Sequence, residues 1–275
     1  MSFARPLIGV ITNTQHDVFQ RRVIMGIEEI AHARGYAVLV DAYADNPPPH
    51  QQITLDYHAV AGVLSIANAT PTDLLRRMCQ EGVPISLVSH YVPELPIPAV
   101  ITDNAAGMEA LVRHVVVECQ RQRLVYIRGL AGQLDSAERE TAFYHAMMRH
   151  NLAVPKAHLL RGDFNPKTAK AALQTLLAQG TDFDAVIAAD YLMGIAAVET
   201  LRAAGLHVPE DVAVVGFGDG PEAEEAGLTT VAADVVEQGR RAARQLISQI
   251  EGLRITGTTV LSVHLVVRQT GCPPV

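Results

Sequence analysis

The sequence predicts an α/β protein of two lobes, each built on a doubly wound parallel β-sheet with helices on both faces. Short apolar runs alternate with helical patterns along the chain, which is the order of repeated βα units. Two series of such units follow one another, and one late helix after the second series indicates a return to the first lobe. A length of 275 residues with 49% hydrophobic side chains is enough for two modest cores.

The first series opens with an apolar strand over residues 7–11 and a helix over residues 19–34. In that helix Val23, Ile27 and Ile30 share one face, and Gly35 stands where a helix usually ends. The same reading along the chain gives strands at 37–40, 62–66, 85–89 and 99–102, a short polar helix ending near Tyr57, and a helix at 72–80.

The second series begins at Asn104, a residue type that caps helices, and this helix is expected to run through Glu118. Asn165, Pro166 and Gly180 mark the two ends of another helix. The remaining predicted elements are strands at 124–127, 158–161, 185–189, 213–217, 229–231, 260–263 and 265–267, and helices at 136–150, 191–204 and 235–250. The predicted lobes are residues 1–102 plus 233–259, and residues 103–232 plus 260–275.

Composition argues against several classes of protein, namely nucleic-acid binders, membrane-spanning proteins and secreted proteins. The chain has 22 basic and 29 acidic side chains, a net charge of −7, and no dense basic run, which argues against a free-standing nucleic-acid binder. Cys79, Cys119 and Cys272 are odd in number and far apart without a CxxC spacing, so three reduced thiols are expected. No apolar run reaches the roughly 20 residues of a membrane span. The segment before Leu7 is too short for a secretory signal. These features favour a cytoplasmic protein.

Enzyme motifs are missing where an α/β enzyme would carry them. Gly9 after the first strand is followed by Val10 and Ile11 rather than by the glycines of a dinucleotide-binding turn. The sequence also lacks GxSxG, Walker and HExxH patterns. We therefore expect no catalytic residue, no cofactor and no metal.

Several segments together carry a family resemblance. Residues 208–217 read VPEDVAVVGF, residues 228–231 read LTTV, residues 103–107 read DNAAG, and residues 139–143 read RETAF. LIGVI at residues 7–11, GVPI at residues 82–85 and LVVR at residues 265–268 add to them. Taken in chain order, over nearly the whole chain, these segments resemble the effector-binding domain of LacI/GalR-type transcriptional regulators.

The resemblance implies a type I periplasmic-binding-protein-like fold with a multi-strand hinge between the lobes. It also implies a small effector, a sugar or a sugar-like metabolite, in the interlobe cleft of a homodimer. Relatives bind operator DNA through an N-terminal helix-turn-helix, and no such segment precedes Leu7. Either the chain is a sensor fragment that lacks its DNA-binding head, or it never bound DNA itself. The alternative is a transport-type solute-binding protein, which would need an export signal.

Candidate ligand-binding residues in the first lobe follow predicted strands, because open α/β sheets bind ligands at the carboxyl ends of their strands. Asp17 is at least as suited to capping the first helix, and Phe19 to anchoring it. A lone histidine such as His90 is more often structural, although its strand-end position favours a ligand role. The candidates are Asn13, His16, Asp17, Phe19, Ser65, Ser89 and His90.

In the second lobe, Arg139 matches the arginine that contacts ligand in the family, and its alternative is a surface arginine. Phe164 is placed to stack on an apolar ligand face or to fill the core. Asp190 is a candidate ligand contact but better suited to capping, and Asp219 is the fourth candidate. The resemblance also shows departures, because residues that bind hydroxyls in sugar-binding relatives are replaced. The replacements are Ala189, Gly218 and Ala233.

Overall fold

The computed structural model describes residues 5–13, 18–42 and 53–272. The chain forms two compact units, one of Met1–Thr102 with Asp234–Leu261 and one of Asp103–Ala233 with Ser262–Val275. Each unit contains one six-stranded sheet, so the predicted fold class of two parallel-sheet α/β lobes is confirmed. The chain passes from one unit to the other three times, after residues 102, 233 and 261.

The first unit has an entirely parallel sheet in the order β2-β1-β3-β4-β5-β11. Strands β3, β4 and β5 are buried along their whole length, as expected of strands covered by helices on both faces. The elements are β1 (Leu7–Thr12), α1 (Val18–Ala33), β2 (Ala37–Ala42), β3 (Gly62–Ile66), α2 (Thr72–Gln80), β4 (Ile85–Val88), β5 (Ala99–Thr102), α8 (Val235–Ile250) and β11 (Thr258–Leu261).

The second unit has the sheet order β7-β6-β8-β9-β10-β12, with β12 antiparallel to β10 and the other strands parallel. Its helices and strands are α3 (Asn104–Arg113), continued by a π-helical turn (His114–Glu118), β6 (Leu124–Arg128), α4 (Leu134–Arg149), a 3-10 turn (Lys156–His158), β7 (Leu159–Arg161), α5 (Pro166–Ala178), β8 (Ala185–Ala188), α6 (Tyr191–Ala203), β9 (Ala213–Phe217), α7 (Pro221–Glu225), β10 (Thr229–Ala232) and β12 (His264–Val266).

Both sheets follow the same winding, since the first strand of each unit lies between the second and the third strand. The direction of winding therefore reverses between β1 and β3 in the first unit and between β6 and β8 in the second. Open α/β sheets bind ligands outside the carboxyl ends of the strands at this reversal. The topology thus indicates one end of each sheet as the place to look for a site.

Helices α1 and α8 cover one face of the first sheet and approach each other at two glycines. A Cβ at Gly26 would overlap the backbone carbonyl of Val236, and a Cβ at Gly239 would overlap that of Val23. Val23 and Ile27 on α1 and Ala242 and Leu246 on α8 are buried in one cluster. The close crossing depends on both glycines, because any side chain at either position meets backbone of the other helix.

Four elements differ from the sequence prediction. The sequence pattern places residues 260 and 261 in the second lobe, whereas Thr258–Leu261 pairs with β5 and completes the first sheet. Asp103, not Asn104, caps α3 by accepting a hydrogen bond from the Ala106 backbone N–H. Residues 53–57 form no helix, and α7 has only five residues, too few to show a helical period.

The expectation of three reduced thiols is wrong for two of them. Cys119 and Cys272 form a disulfide within the second unit, whereas Cys79 has a free thiol. The two partners are 153 residues apart in sequence, so spacing could not reveal the pair. In the described ranges, no helix is both long and apolar enough to cross a bilayer.

Candidate functional site

Arg139 is the central charged residue at the carboxyl end of the second sheet. Its Nε donates to Asn104 Oδ1 at 2.8 Å and its Nη1 donates to the Ala189 carbonyl oxygen at 2.8 Å. The guanidinium carbon lies 3.9 Å from the ring centroid of Phe217, at the end of β9. Nη2 is 4.0 Å from Asp135 Oδ2, and the side chain is only 11% exposed. Arg139 is therefore a fixed, nearly buried cation rather than a surface arginine.

Asn104 holds this arginine in place through a second layer of hydrogen bonds. Its Nδ2 donates to Asp135 Oδ1 at 2.8 Å and to Glu138 Oε2 at 2.7 Å. Burial raises the pKa of Glu138 above its ordinary value and nearby Asp135 adds to the rise, while the Asn104 hydrogen bond opposes it. Sequence reasoning did not find Asn104 as a site residue, although it lies in the DNAAG motif, because its partners are more than 30 residues away.

Phe164 lies in the loop that follows β7, in an unusual backbone conformation. Its φ is +54° and that of Asp163 is +56°, values that favour glycine over a bulky aromatic residue. The ring is half-buried and covers Gly129, where a Cβ would overlap it. Strained backbone of this kind concentrates at ligand-binding sites, so the position is consistent with a ring presented to a ligand.

Asp190 directly follows the carbonyl that Arg139 binds. Its Oδ1 accepts a hydrogen bond from the Met193 backbone N–H at 2.7 Å, so the predicted cap of α6 is confirmed. Arg139 therefore binds the residue next to Asp190, just beyond the end of β8. This end of β8 borders the reversal of the second sheet.

Asp219 is paired within the protein. Arg268 Nη1 donates to Asp219 Oδ1 at 3.0 Å and Nη2 donates to Oδ2 at 2.9 Å, which is a two-pronged ion pair. Arg268 Nη1 also donates to the Leu228 carbonyl at 2.8 Å. The pair ties the chain after β9 to the C-terminal segment and engages both carboxylate oxygens of Asp219, so Asp219 has a structural role.

The Arg268→Met variant is expected to lower the free energy of unfolding by about 2 kcal/mol, because it leaves a mostly buried carboxylate without its cation. The Arg268 and Asp219 side chains are 16% and 24% exposed. The matched control is Arg34→Met, since the Arg34–Glu251 pair is 57% and 49% exposed, and a change within about 0.5 kcal/mol is expected. Urea unfolding measures both, and equal effects would contradict the structural role of Asp219.

In the first unit, three candidates surround the ends of β1 and β3. Asn13 Nδ2 donates to the Ala67 carbonyl at 2.9 Å. Phe19 is half-buried and packs against the core under α1, so it anchors the helix. Ser65 is fully buried within β3. The other two candidates of this region, His16 and Asp17, lie outside the described residues.

Ser89 and His90 follow β4 and are both buried. Ser89 has a φ of +59°, and its Oγ accepts a hydrogen bond from Gln238 Nε2 at 3.0 Å. His90 Nδ1 lies 3.1 Å from the Val88 carbonyl oxygen. Both side chains are therefore buried in the first unit and contact other groups of it, and the Ser89 hydroxyl links the end of β4 to α8.

Three buried hydroxyl groups lie at this end of the first sheet. Within the described part of the chain, Thr12 Oγ1, Ser65 Oγ and Thr70 Oγ1 are inaccessible to solvent and make no hydrogen bond. An unsatisfied buried hydroxyl costs about 1–3 kcal/mol and calls for an explanation, such as a ligand or an ordered water. Sequence reasoning missed Thr12 and Thr70, because the residue type alone does not tell an orphaned hydroxyl from a bonded one.

The backbone carbonyls of two of the replaced positions, Ala189 and Gly218, already have hydrogen-bond donors within the protein. The Ala189 carbonyl accepts from Arg139, and Thr230 Oγ1 lies 2.5 Å from the Gly218 carbonyl and 2.7 Å from the Gly216 carbonyl, to which its one hydroxyl hydrogen can donate. Gly218 has a φ of +88°, and a Cβ there would lie 3.2 Å from Tyr191 Cδ1. Glycine at this position fits its backbone, and a side chain would be strained.

Comparison with known proteins decides the family. The sequence profile of a periplasmic binding protein-like domain matches residues 115–271. The HTH-type transcriptional regulator CelR of Thermobifida fusca is 31% identical over 265 residues, covering 92% of this chain and 76% of CelR. The chain belongs to the LacI/GalR-type family of transcriptional regulators. The repressor CytR of Escherichia coli K12 is 28% identical over 258 residues, covering 92% of this chain and 75% of CytR.

Solved structures agree with this LacI/GalR-type assignment. A CelR–cellobiose complex superposes with a TM-score of 0.84 at 27% identity, covering 97% of this chain and 84% of CelR. A LacI transcriptional regulator from a Rhodococcus species gives a TM-score of 0.82 at 27% identity, covering 97% and 98% of the two chains. The effector-binding type of domain predicted from the sequence is thus confirmed.

Proposed function

We propose that this LacI/GalR-type domain is the effector sensor of a bacterial transcriptional regulator. A small metabolite, a sugar or a sugar-like compound, binds at the carboxyl ends of the parallel strands. The ligand favours the arrangement of the units that it binds better, and this shift is passed to operator DNA through a helix-turn-helix of a cytoplasmic homodimer. Support comes from the regulator relatives and from the cellobiose bound to CelR.

The observation that carries the proposal is the fixed cation at the end of the second sheet. Arg139 is held by Asn104, the Ala189 carbonyl and the Phe217 ring, so its planar fork is preorganised. A preorganised guanidinium loses little side-chain entropy when it binds a ligand oxygen. The half-buried ring of Phe164 offers the apolar surface that a sugar ring can stack on.

The departures from the family pattern bear on the class of ligand. Ala189, Gly218 and Ala233 have no side-chain group that can donate or accept a hydrogen bond. A sugar hydroxyl left without a partner costs about 1–3 kcal/mol, so three lost partners disfavour an ordinary free monosaccharide bound in the usual way. We infer a ligand with fewer free hydroxyls on the ring at this position, such as a linked or modified sugar.

A thermal unfolding screen tests the proposal. The probes are cellobiose, other disaccharides, glucose and galactose, each added to the purified chain. A disaccharide or modified sugar is expected to raise the melting temperature in a saturable way. Ligand at 100 times its dissociation constant adds about 2.7 kcal/mol to the free energy of unfolding. The free monosaccharides are expected to give a smaller shift.

Variants separate site binding from nonspecific stabilisation. Phe164→Leu keeps apolar volume but removes the flat ring, and it is expected to weaken the responding sugar at least about tenfold. The control is Met148→Gln, because Met148 is 67% exposed on α4 and should leave the shift unchanged. A shift that is identical in both variants would remove Phe164 from the site, and no saturable shift from any probe would contradict a sugar effector.

A further inference from the structure

We propose that His114, Cys119 and Cys272 form a site for a single thiophilic divalent cation, such as Zn²⁺, when their disulfide is reduced. The disulfide and the metal complex are alternative states of the same two sulfur atoms. The three residues lie in the second unit, and none of them belongs to the sugar-binding candidates at the strand ends. The inference therefore stands apart from the proposed function.

The distances between the donor atoms suit tetrahedral zinc. His114 Nε2 lies 3.5 Å from Cys119 Sγ and 3.6 Å from Cys272 Sγ, and all three atoms are within 4.8 Å of one another. With Zn–S bonds of about 2.3 Å and a Zn–N bond of about 2.0 Å, tetrahedral geometry separates nitrogen and sulfur ligands by about 3.5 Å. The imidazole thus already stands at ligand distance, and only the sulfurs must separate, to about 3.8 Å.

The imidazole of His114 is oriented as a metal ligand usually is. The ring is buried, and its Nδ1 lies 2.7 Å from Glu118 Oε2. A carboxylate on one ring nitrogen fixes the tautomer and directs the other nitrogen at the metal. Glu118 Oε1 is 3.2 Å from Arg113 Nη2, so the carboxylate is itself held in place.

The π-helical turn and the C-terminal segment bring the two cysteines to this histidine. The Cys119 backbone N–H donates to the His114 carbonyl at 2.9 Å, which sets Cys119 one wide turn after His114. Thr270 Oγ1 donates to the Val214 carbonyl at 2.7 Å and accepts from the Thr229 backbone N–H at 2.9 Å. These bonds hold the segment of Cys272 in place independently of the disulfide.

A glycine keeps space beside the donor nitrogen. A Cβ at Gly271 would stand 2.6 Å from His114 Nε2 and 2.9 Å from Thr229 Oγ1. Cys119 and Cys272 are partly exposed, so a reductant and an ion have access to the sulfurs. With three protein ligands, a fourth position remains for water.

The two states interconvert by balanced steps. A dithiol reductant gives two electrons and two protons to the Cys119–Cys272 bond, yielding two thiols while the reductant forms its own disulfide. Zn²⁺ then binds both sulfurs as thiolates and releases the two protons. Hydrogen peroxide reverses the change. It takes two electrons from the two zinc-bound thiolates, forms two waters with two protons from the solvent, restores the disulfide and frees the ion.

Cobalt titration of the reduced full chain tests the site. Co²⁺ is expected to bind one ion per chain, with thiolate-to-cobalt charge-transfer absorption in the near ultraviolet and tetrahedral bands in the visible. Zn²⁺ should displace it, and peroxide should abolish the bands. Glu118→Gln is expected to weaken binding about 10- to 100-fold, since it removes the group that orients His114. Cys79→Ser, which alters the free thiol of the first unit, should bind as the wild type does.

Two ligand variants guard against misfolding as an explanation. Cys272→Ser should lose the charge-transfer bands, and His114→Gln, which leaves both cysteines in place, should weaken Co²⁺ at least about tenfold. Circular dichroism establishes that each variant is folded. The proposal is overturned if the reduced wild type binds no ion, or if folded Cys272→Ser or His114→Gln binds Co²⁺ with wild-type affinity and spectrum.

Discussion

The Arg139→Ala substitution is expected to lower the free energy of unfolding by about 3 kcal/mol and to abolish effector binding. Arg139 is 11% exposed and donates to Asn104 and to the Ala189 carbonyl. Removing the guanidinium leaves Asn104 Oδ1 and the Ala189 carbonyl oxygen without their donor. It also leaves the neighbouring carboxyl groups of Asp135 and Glu138 without a nearby cation. Breaking a buried charge network of this kind costs about 3–5 kcal/mol.

Two further variants separate the stability of the second unit from its binding. Arg139→Lys keeps the charge but not the planar fork, so it should recover part of the stability while effector affinity stays at least about tenfold weaker. Met148→Gln on the same helix is exposed and should change neither quantity. Urea unfolding and calorimetric titration with the responding sugar measure both. An Arg139→Ala protein that binds with wild-type affinity would exclude the arginine from the site.

The Gly239→Ala variant is expected to destabilise the first unit by about 2–3 kcal/mol or more. A Cβ at this position overlaps the Val23 carbonyl of α1, and backbone cannot swing aside as a side chain can. Overpacking typically costs about 1–3 kcal/mol, and a helical glycine-to-alanine change returns only about 1 kcal/mol. Gly26→Ala should behave alike, because its Cβ overlaps the Val236 carbonyl.

Gly194→Ala is the matched control for the helix crossing. Gly194 lies inside α6, and a Cβ there would stand 3.1 Å from the end of the Leu228 side chain, which can move. This variant should keep the wild-type free energy of unfolding within about 1 kcal/mol or exceed it. If Gly239→Ala were as stable as Gly194→Ala in urea, the close approach of α1 and α8 would be contradicted.

The order of strands and helices could be read from the sequence because buried parallel strands are continuous apolar runs. Strand β9 is such a run. Helix α5 could be predicted because Asn165 and Pro166 mark its start. The end of the chain was harder to assign. Strand β11 has exposed and half-exposed residues, so its pattern did not show that it joins the first sheet as the partner of β5. The Cys119–Cys272 pair depends on tertiary contact, which spacing does not encode.

The candidate site was only partly predictable. Family motifs led to Arg139, and helix-capping chemistry correctly described Asp190. Sequence could not show that Asp219 is paired with Arg268, or that the Thr12 and Thr70 hydroxyls lack partners within the described residues. Both facts depend on which side chains meet across the fold. The family resemblance therefore locates the region of the site at the strand ends. Which side chains there are already engaged by hydrogen bonds or ion pairs can be seen only in the structure.

Equilibrium dialysis of the purified chain against the panel of sugars, with mass spectrometry of the recovered compound, tests effector sensing most directly. A sensor should take up one molecule of a sugar per chain in a saturable way and return it chemically unchanged. Conversion of the sugar into a product, or uptake that never saturates for any compound of the panel, would contradict the proposed role.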